Sequence, residues 1–128
     1  MPLRNLVIAV CLLATPLFAQ QARNAPLLDK DLTGIPGKEG VMVVINVAPG
    51  QSSAVHRHNA DVFVYVLEGT MIMQVKGKPA ETLQAGQTFY ESPDDIHVVS
   101  KNASDTQPAK FLVFMVKDKG APISVPVK

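Results

Sequence analysis

Three histidines are the only imidazoles in this 128-residue chain, and their placement is the first sign of chemistry. His56 and His58 stand two apart in a short β-type run, so on a strand both side chains project from one face. His97 follows about forty residues later, in a second run flanked by apolar residues. Neutral imidazole is the commonest metal-binding side chain, and a pair at i, i+2 joined by a third from a distant strand can cap one face of a metal ion. A lone His-x-His pair is more often explained by surface or core histidines with ordinary hydrogen bonds, and the spacing to the third histidine changes that weighing. No thiol competes for the role. Cys11 is the one cysteine, and the chain beyond it can support neither thiolate catalysis, nor disulfides, nor a Cys-based zinc site.

The segments that must position these residues read as strands. Val41–Val47 is β-branched and ends at Pro49-Gly50; Ser53–His58 closes at Asn59-Ala60. Val62–Leu67 is the strongest strand signal and stops at Glu68-Gly69. Thr70–Val75 and Ala80–Gln84 flank Lys76-Gly77-Lys78-Pro79 as a predicted hairpin. Gln87–Glu91, Ile96–Ser100 and Ala109–Val116 complete the series, with a polar loop at 101–108. Eight or nine short strands with a turn signal after nearly every one, and no convincing helix, predict an all-β single domain, either a sandwich or a closed barrel. Met71 and Met73 alternate within a strand and read as packing rather than as ligands.

The N-terminus carries a different signal. Arg4 gives a positive start, Leu6–Ala14 is apolar, and Thr15-Pro16 breaks the run before Leu17-Phe18-Ala19. This is the pattern of a signal peptide over residues 1–19, cleaved after Ala19, and it predicts an exported protein, periplasmic or secreted. The run is too short for a stable membrane span, which needs about 20 apolar residues. A lipid anchor on Cys11 and a retained N-terminal anchor are the rival readings. Residues 20–40 read as an extended N-terminal arm, 41–117 as the barrel and 118–128 as a C-terminal tail. Twelve Lys and Arg stand against eleven Asp and Glu, and losing Arg4 with the signal makes them equal. That balance, without a basic run, argues against a nucleic-acid partner.

With these residues in place, the chain resembles the cupin superfamily over about residues 41–117. Gly50-x5-His56-x-His58, ending in Tyr65-Val66-Leu67-Glu68-Gly69, resembles the first cupin motif. Gly86, followed by Pro93 and then by His97 eleven positions after the glycine, resembles the second. The resemblance implies a double-stranded β-helix barrel of jelly-roll type, with His56, His58 and His97 as ligands of one divalent transition metal inside it. Iron, zinc, manganese, nickel and copper all suit three imidazoles with open positions. It also implies a homodimer, formed through the outward face that Arg57 should occupy.

Two positions leave the family pattern. The glutamate that the first motif usually carries falls here on Val62, with Asp61 one residue before it. Strand alternation turns Asp61 away from the metal unless a bulge redirects it. The expected site therefore has three histidines, with Asp61 as the alternative fourth ligand. Ser92-Pro93-Asp94-Asp95 stands where Pro-x-Gly is common. Tyr90 and Glu91, just before the second motif, are candidates for lining the pocket.

A divalent ion on three neutral ligands keeps its full charge, so it should polarise bound oxygen and attract small anionic or chelating molecules. Two function classes follow. One is a metal-dependent enzyme on a small oxygen-rich molecule, with oxygenase, isomerase or lyase chemistry. The other is a non-catalytic small-molecule or metal-binding protein, because no general base beyond the ligands is evident. A purely structural barrel is a third reading, and the fold alone decides none of them.

Overall fold

The computed structural model describes residues 25–128. The expected signal peptide and Cys11 lie outside the described residues. Ten strands follow one another: β1 (Leu28–Asp31), β2 (Lys38–Val47), β3 (His56–Arg57), β4 (Asp61–Glu68), β5 (Thr70–Val75), β6 (Glu81–Gln84), β7 (Thr88–Glu91), β8 (His97–Asn102), β9 (Ala109–Asp118) and β10 (Val125–Pro126). No helix occurs among the described residues.

The strands form two five-stranded antiparallel sheets, ordered β1-β2-β9-β4-β7 and β10-β3-β8-β5-β6. The all-β class and the two-sheet jelly-roll architecture are as the sequence implied. The chain repeatedly crosses from one sheet to the other, as at Asn59-Ala60 between β3 and β4 and at Gly69 between β4 and β5. Gly69 has φ +73°, and a Cβ there would come within 2.6 Å of the Pro108 carbonyl oxygen, so no other residue fits this corner. The predicted hairpin is present, with Thr70 opposite Gln84 and Met73 opposite Glu81.

Period-two alternation builds the interior. Val62, Val64 and Val66 of β4 point inward, as do Met71, Met73 and Val75 of β5 and Val113 and Met115 of β9. Each fully buried side chain of this size contributes about 1.5–3 kcal/mol. On the outer face of β4, Phe63, Tyr65 and Leu67 remain exposed, and Phe63 packs against Tyr90 and Phe114. The strand is apolar on both faces, yet only one of them is covered by a sheet.

Residues 20–40 and 118–128 each supply a strand. β1 pairs with β2, and β10 pairs with β3. Near the chain's last turn, Glu39 and Lys117 lie directly opposite each other and form a buried ion pair, and the Lys117 ammonium also donates to the Ala121 carbonyl at 2.6 Å. Among the described residues Asn102 is another buried polar anchor. Its amide donates to Gln107 O at 2.7 Å and more loosely to Val47 O and Ala48 O, while its oxygen accepts from Ser104 N.

Candidate metal centre

The histidines come together on the second sheet. His56 of β3 lies directly opposite His97 of β8, and His58 follows just beyond the end of β3 on the same side. One ligand atom from each ring falls within 4.8 Å of the others. Arg57, between them, faces out.

A bulge gives His97 its direction. Val75 pairs with His97 and Gln74 with Val99, which leaves Val98 as the extra residue. Counted back from inward Ser100 and Asn102, regular alternation would put His97 on the outer face; the bulge returns it to the interior. The turn before it is closed by Asp95, whose carboxylate accepts from Ser92 N at 2.8 Å while Asp95 N donates to Ser92 O. This side-chain closure stands in for the Pro-x-Gly turn. The same bonds, led by the Ser92 amide, hold the Asp95 carboxyl below its ordinary range, with Lys78 assisting.

Ring orientations are set by carbonyl oxygens. His56 Nδ1 lies 2.8 Å from Ala54 O, and His58 Nδ1 lies 2.7 Å from Ile123 O. A carbonyl can only accept, so both Nδ1 atoms carry a proton, and when the rings are neutral both Nε2 atoms present lone pairs. Those two Nε2 atoms are 3.1 Å apart. Ligand nitrogens about 2.1 Å from a shared ion sit at about this separation. Without a cation between them, two lone pairs at this distance repel. Burial keeps the His56 imidazole below its ordinary pKa, the Ala54 carbonyl opposes this, and the neighbouring His58 and His97 rings add to the lowering. Burial thus favours the neutral imidazole, the form that coordinates a metal.

Sequence reasoning named Glu91 only as a pocket-lining candidate. It is 2% exposed and sits among the histidines, with Oε1 3.0 Å from His97 Nδ1 and Oε2 4.0 Å from His58 Nε2. The contact to His97 lacks hydrogen-bond alignment, because His97 Nδ1 remains without a partner. Among the described residues, the buried side-chain atoms without any hydrogen bond are Glu91 Oε2 and both ring nitrogens of His97. Asn102, equally buried, is fully satisfied. Unpaired buried polar atoms cost about 1–3 kcal/mol each, and three gathered in one place fit a group that holds a cation.

Asp61 does not join this group. It lies on the outer face, where its carboxylate accepts from the Tyr90 hydroxyl at 2.6 Å, and this bond raises the Tyr90 pKa. Tyr90 is accordingly outside the pocket, with its ring on Phe63. Met71 and Met73 are core residues, as expected. The histidines line a half-open cleft of about 1620 Å³, whose wall includes Val62, Val64, Phe111 and Met115 together with Glu91.

Comparison with known proteins places this arrangement. No curated protein sequence matches the chain. Solved structures share the fold: an uncharacterized conserved protein with a double-stranded β-helix domain from Klebsiella pneumoniae has TM-score 0.65 and 19% identity, over 82% of this chain and 83% of that one. The DMSP lyase DddQ from Ruegeria pomeroyi has TM-score 0.61 and 18% identity, over 84% of this chain and 53% of that one. An oxalate oxidase in complex with glycolate has TM-score 0.57 and 22% identity, over 82% and 55%. The chain thus spans about half the length of the lyase and oxidase chains. The sequence model for the cupin domain matches residues 43–115, more than half the chain and inclusive of every histidine. With the double-stranded β-helix and both motif segments in place, the protein belongs to the cupin family.

Proposed function

We propose that this cupin binds one divalent transition metal through His56, His58 and His97 and acts as an enzyme on a small oxygen-rich molecule, by lyase, oxygenase or isomerase chemistry. The observation that carries the proposal is the convergence of two Nε2 lone pairs, fixed by the Ala54 and Ile123 carbonyls, on the place where His97 and Glu91 have unpaired polar atoms. A metal held there would supply Lewis acidity toward a chelating oxygen ligand. The chain's own part is to orient that ligand and exclude water: Val62, Val64 and Met115 wall one side of the cavity, and Glu91 presents a carboxylate to it. The folds shared with a DMSP lyase and with an oxalate oxidase holding glycolate support a small oxygenated substrate.

Elemental analysis of protein from its native source, followed by turnover assays on small carboxylates and enolisable acids, tests the reading. Redox-active iron or copper directs the assays to oxygen chemistry; zinc directs them to hydrolysis and isomerisation. A filled site with no turnover would favour the non-catalytic binding protein.

We further propose export, with cleavage after Ala19. N-terminal sequencing of recovered protein should then begin at Gln20. We also propose a homodimer. Its apolar contact surface is better supplied by Phe63, Tyr65 and Tyr90 on the first sheet than by the Arg57 side of the second. A Phe63→Glu variant that remains dimeric in light scattering would remove this face from consideration.

A further inference from the structure

The first cupin motif resembled by this chain places a carboxylate where Val62 stands. Val62 is 1% exposed and points inward, so the strand's geometry is kept while its charge is lost. On β7, the residue directly opposite Val62 is Glu91. Cross-strand partners have Cβ atoms about 4.5–5.5 Å apart on the same face, so a longer side chain on one strand can reach the volume served by the other. Glu91 does so. Its carboxylate lies within 4.0 Å of ring nitrogens from His58 and His97, which belong to the opposite sheet.

The surroundings offer this carboxylate only imidazole partners. Among the described residues its only charge-pairing neighbours are those two histidines, and no Lys or Arg reaches it. One of its oxygens has no hydrogen-bond partner. A buried carboxylate that stays ionised must be paired with a cation or hold a metal ion, because an isolated buried charge is far more costly than a buried amide or hydroxyl. Lys117 shows the contrast at the far end of β9, where a buried charge meets Glu39 and a backbone carbonyl.

We infer that Glu91 is the fourth, anionic ligand of the metal centre, a carboxylate moved from the first-motif strand to its neighbour across the β4–β7 ladder. This rests on the proposed histidine site. It revises the expectation of a centre with neutral ligands only: the divalent ion would carry one compensating charge, and its partners would be neutral or singly charged chelators rather than dianions.

The test uses the full chain stripped of metal with a chelator and titrated with Co²⁺, whose visible absorption reports the coordination sphere, and with Zn²⁺ in competition with a chromophoric chelator. Glu91→Gln keeps the shape and removes the charge. It should weaken binding about 100-fold and change the Co²⁺ spectrum. The double variant Val62→Glu/Glu91→Val returns the carboxylate to the first-motif position and should restore affinity to within about tenfold of the parent. Parent-like affinity and spectrum in Glu91→Gln would overturn the assignment while leaving the histidine site intact. An unchanged spectrum with weakened binding would also overturn it, since that is the signature of a residue that only orients His97. A parent chain that binds neither ion would remove the metal centre itself, a different failure. Thermal melts of the metal-free variants separate misfolding from lost coordination, and Glu91→Gln decides the matter even if the double variant does not fold.

Discussion

The two sheets are built to different standards. The first contains the longest strands, with β2 and β9 paired over ten consecutive positions from Lys38↔Asp118 to Val47↔Ala109, and its register shift, between Val66 and Glu68, falls at the end of β4. The second begins with two-residue strands, joins β3 to β8 through the single pair His56↔His97, and carries the bulge at Val98. His56 and His97 lie in the irregular sheet and His58 just beyond its β3, while the first sheet contributes Glu91. Continuous ladders make a rigid scaffold. Short, bulged strands can aim side chains at a point, which regular alternation cannot do.

The sharpest way to break this contrast is to attack the scaffold. Val66 is 0% exposed at the middle of β4, and Val66→Asp would bury an unpaired charge costing about 3–5 kcal/mol. Loss of a cooperative thermal transition is expected. A normal melt in that variant would mean the first sheet is not the stabilising one.

The opposite result is expected in the second sheet. His97→Leu should lower metal affinity at least about 100-fold, yet raise the stability of the metal-free protein by about 1 kcal/mol, because it removes two unsatisfied buried nitrogens. Chemical denaturation after chelation, set beside a metal titration, measures both. Lower stability of the metal-free variant would show that His97 serves packing rather than binding.

Next in size is the acceptor that orients His58. Truncation of residues 122–128 removes the Ile123 carbonyl and should weaken metal binding about 10- to 100-fold, with the first sheet still folded. Unchanged affinity would mean that His58 holds its direction without that bond.

Smallest is Asp95→Ala, which opens the turn before His97 at a cost of about 0.5–1.5 kcal/mol. The folded Asp95 carboxyl lies below its ordinary value, so its contribution is present above the usual carboxylate range and disappears as pH falls through the lowered value. The stability difference between parent and variant should therefore close in acid. Asp61→Ala serves as the control at the same scale, and its metal affinity should equal the parent's, because Asp61 bonds Tyr90 on the outer face.

Much of this was legible beforehand because it rests on local rules. Turn residues after each β-branched run located β2 through β9, and Gly-to-His spacing identified the three histidines. Alternation also sent Asp61 outward and Val62 inward, as found. Glu91 was harder, since its importance depends on lying opposite Val62, a register no local pattern specifies. A buried Glu at inward parity was the available signal, and it gains meaning only when β4 and β7 are known to pair. The carbonyls of Ala54 and Ile123 are backbone atoms, which residue types do not reveal. β1 and β10 escaped for another reason: segments of four and two residues are too short to show alternation and become strands only by pairing with a neighbour already formed.

The segment bearing Ile123 also bears on rates. β10 makes only two register pairs, and Val127 N adds one bond to Val55 O at 3.2 Å. A segment with so few ties opens at a free energy well below that of the barrel. When it lifts, His58 loses the acceptor that fixes its ring, while Val41, Val66 and Met115 stay packed. An ion held by the proposed centre would then exchange on the timescale of this local opening instead of waiting for the whole molecule to unfold. Amide hydrogen exchange should place Val125 and Val127 among the fast protons, and the off-rate of the ion should follow theirs rather than those of β9.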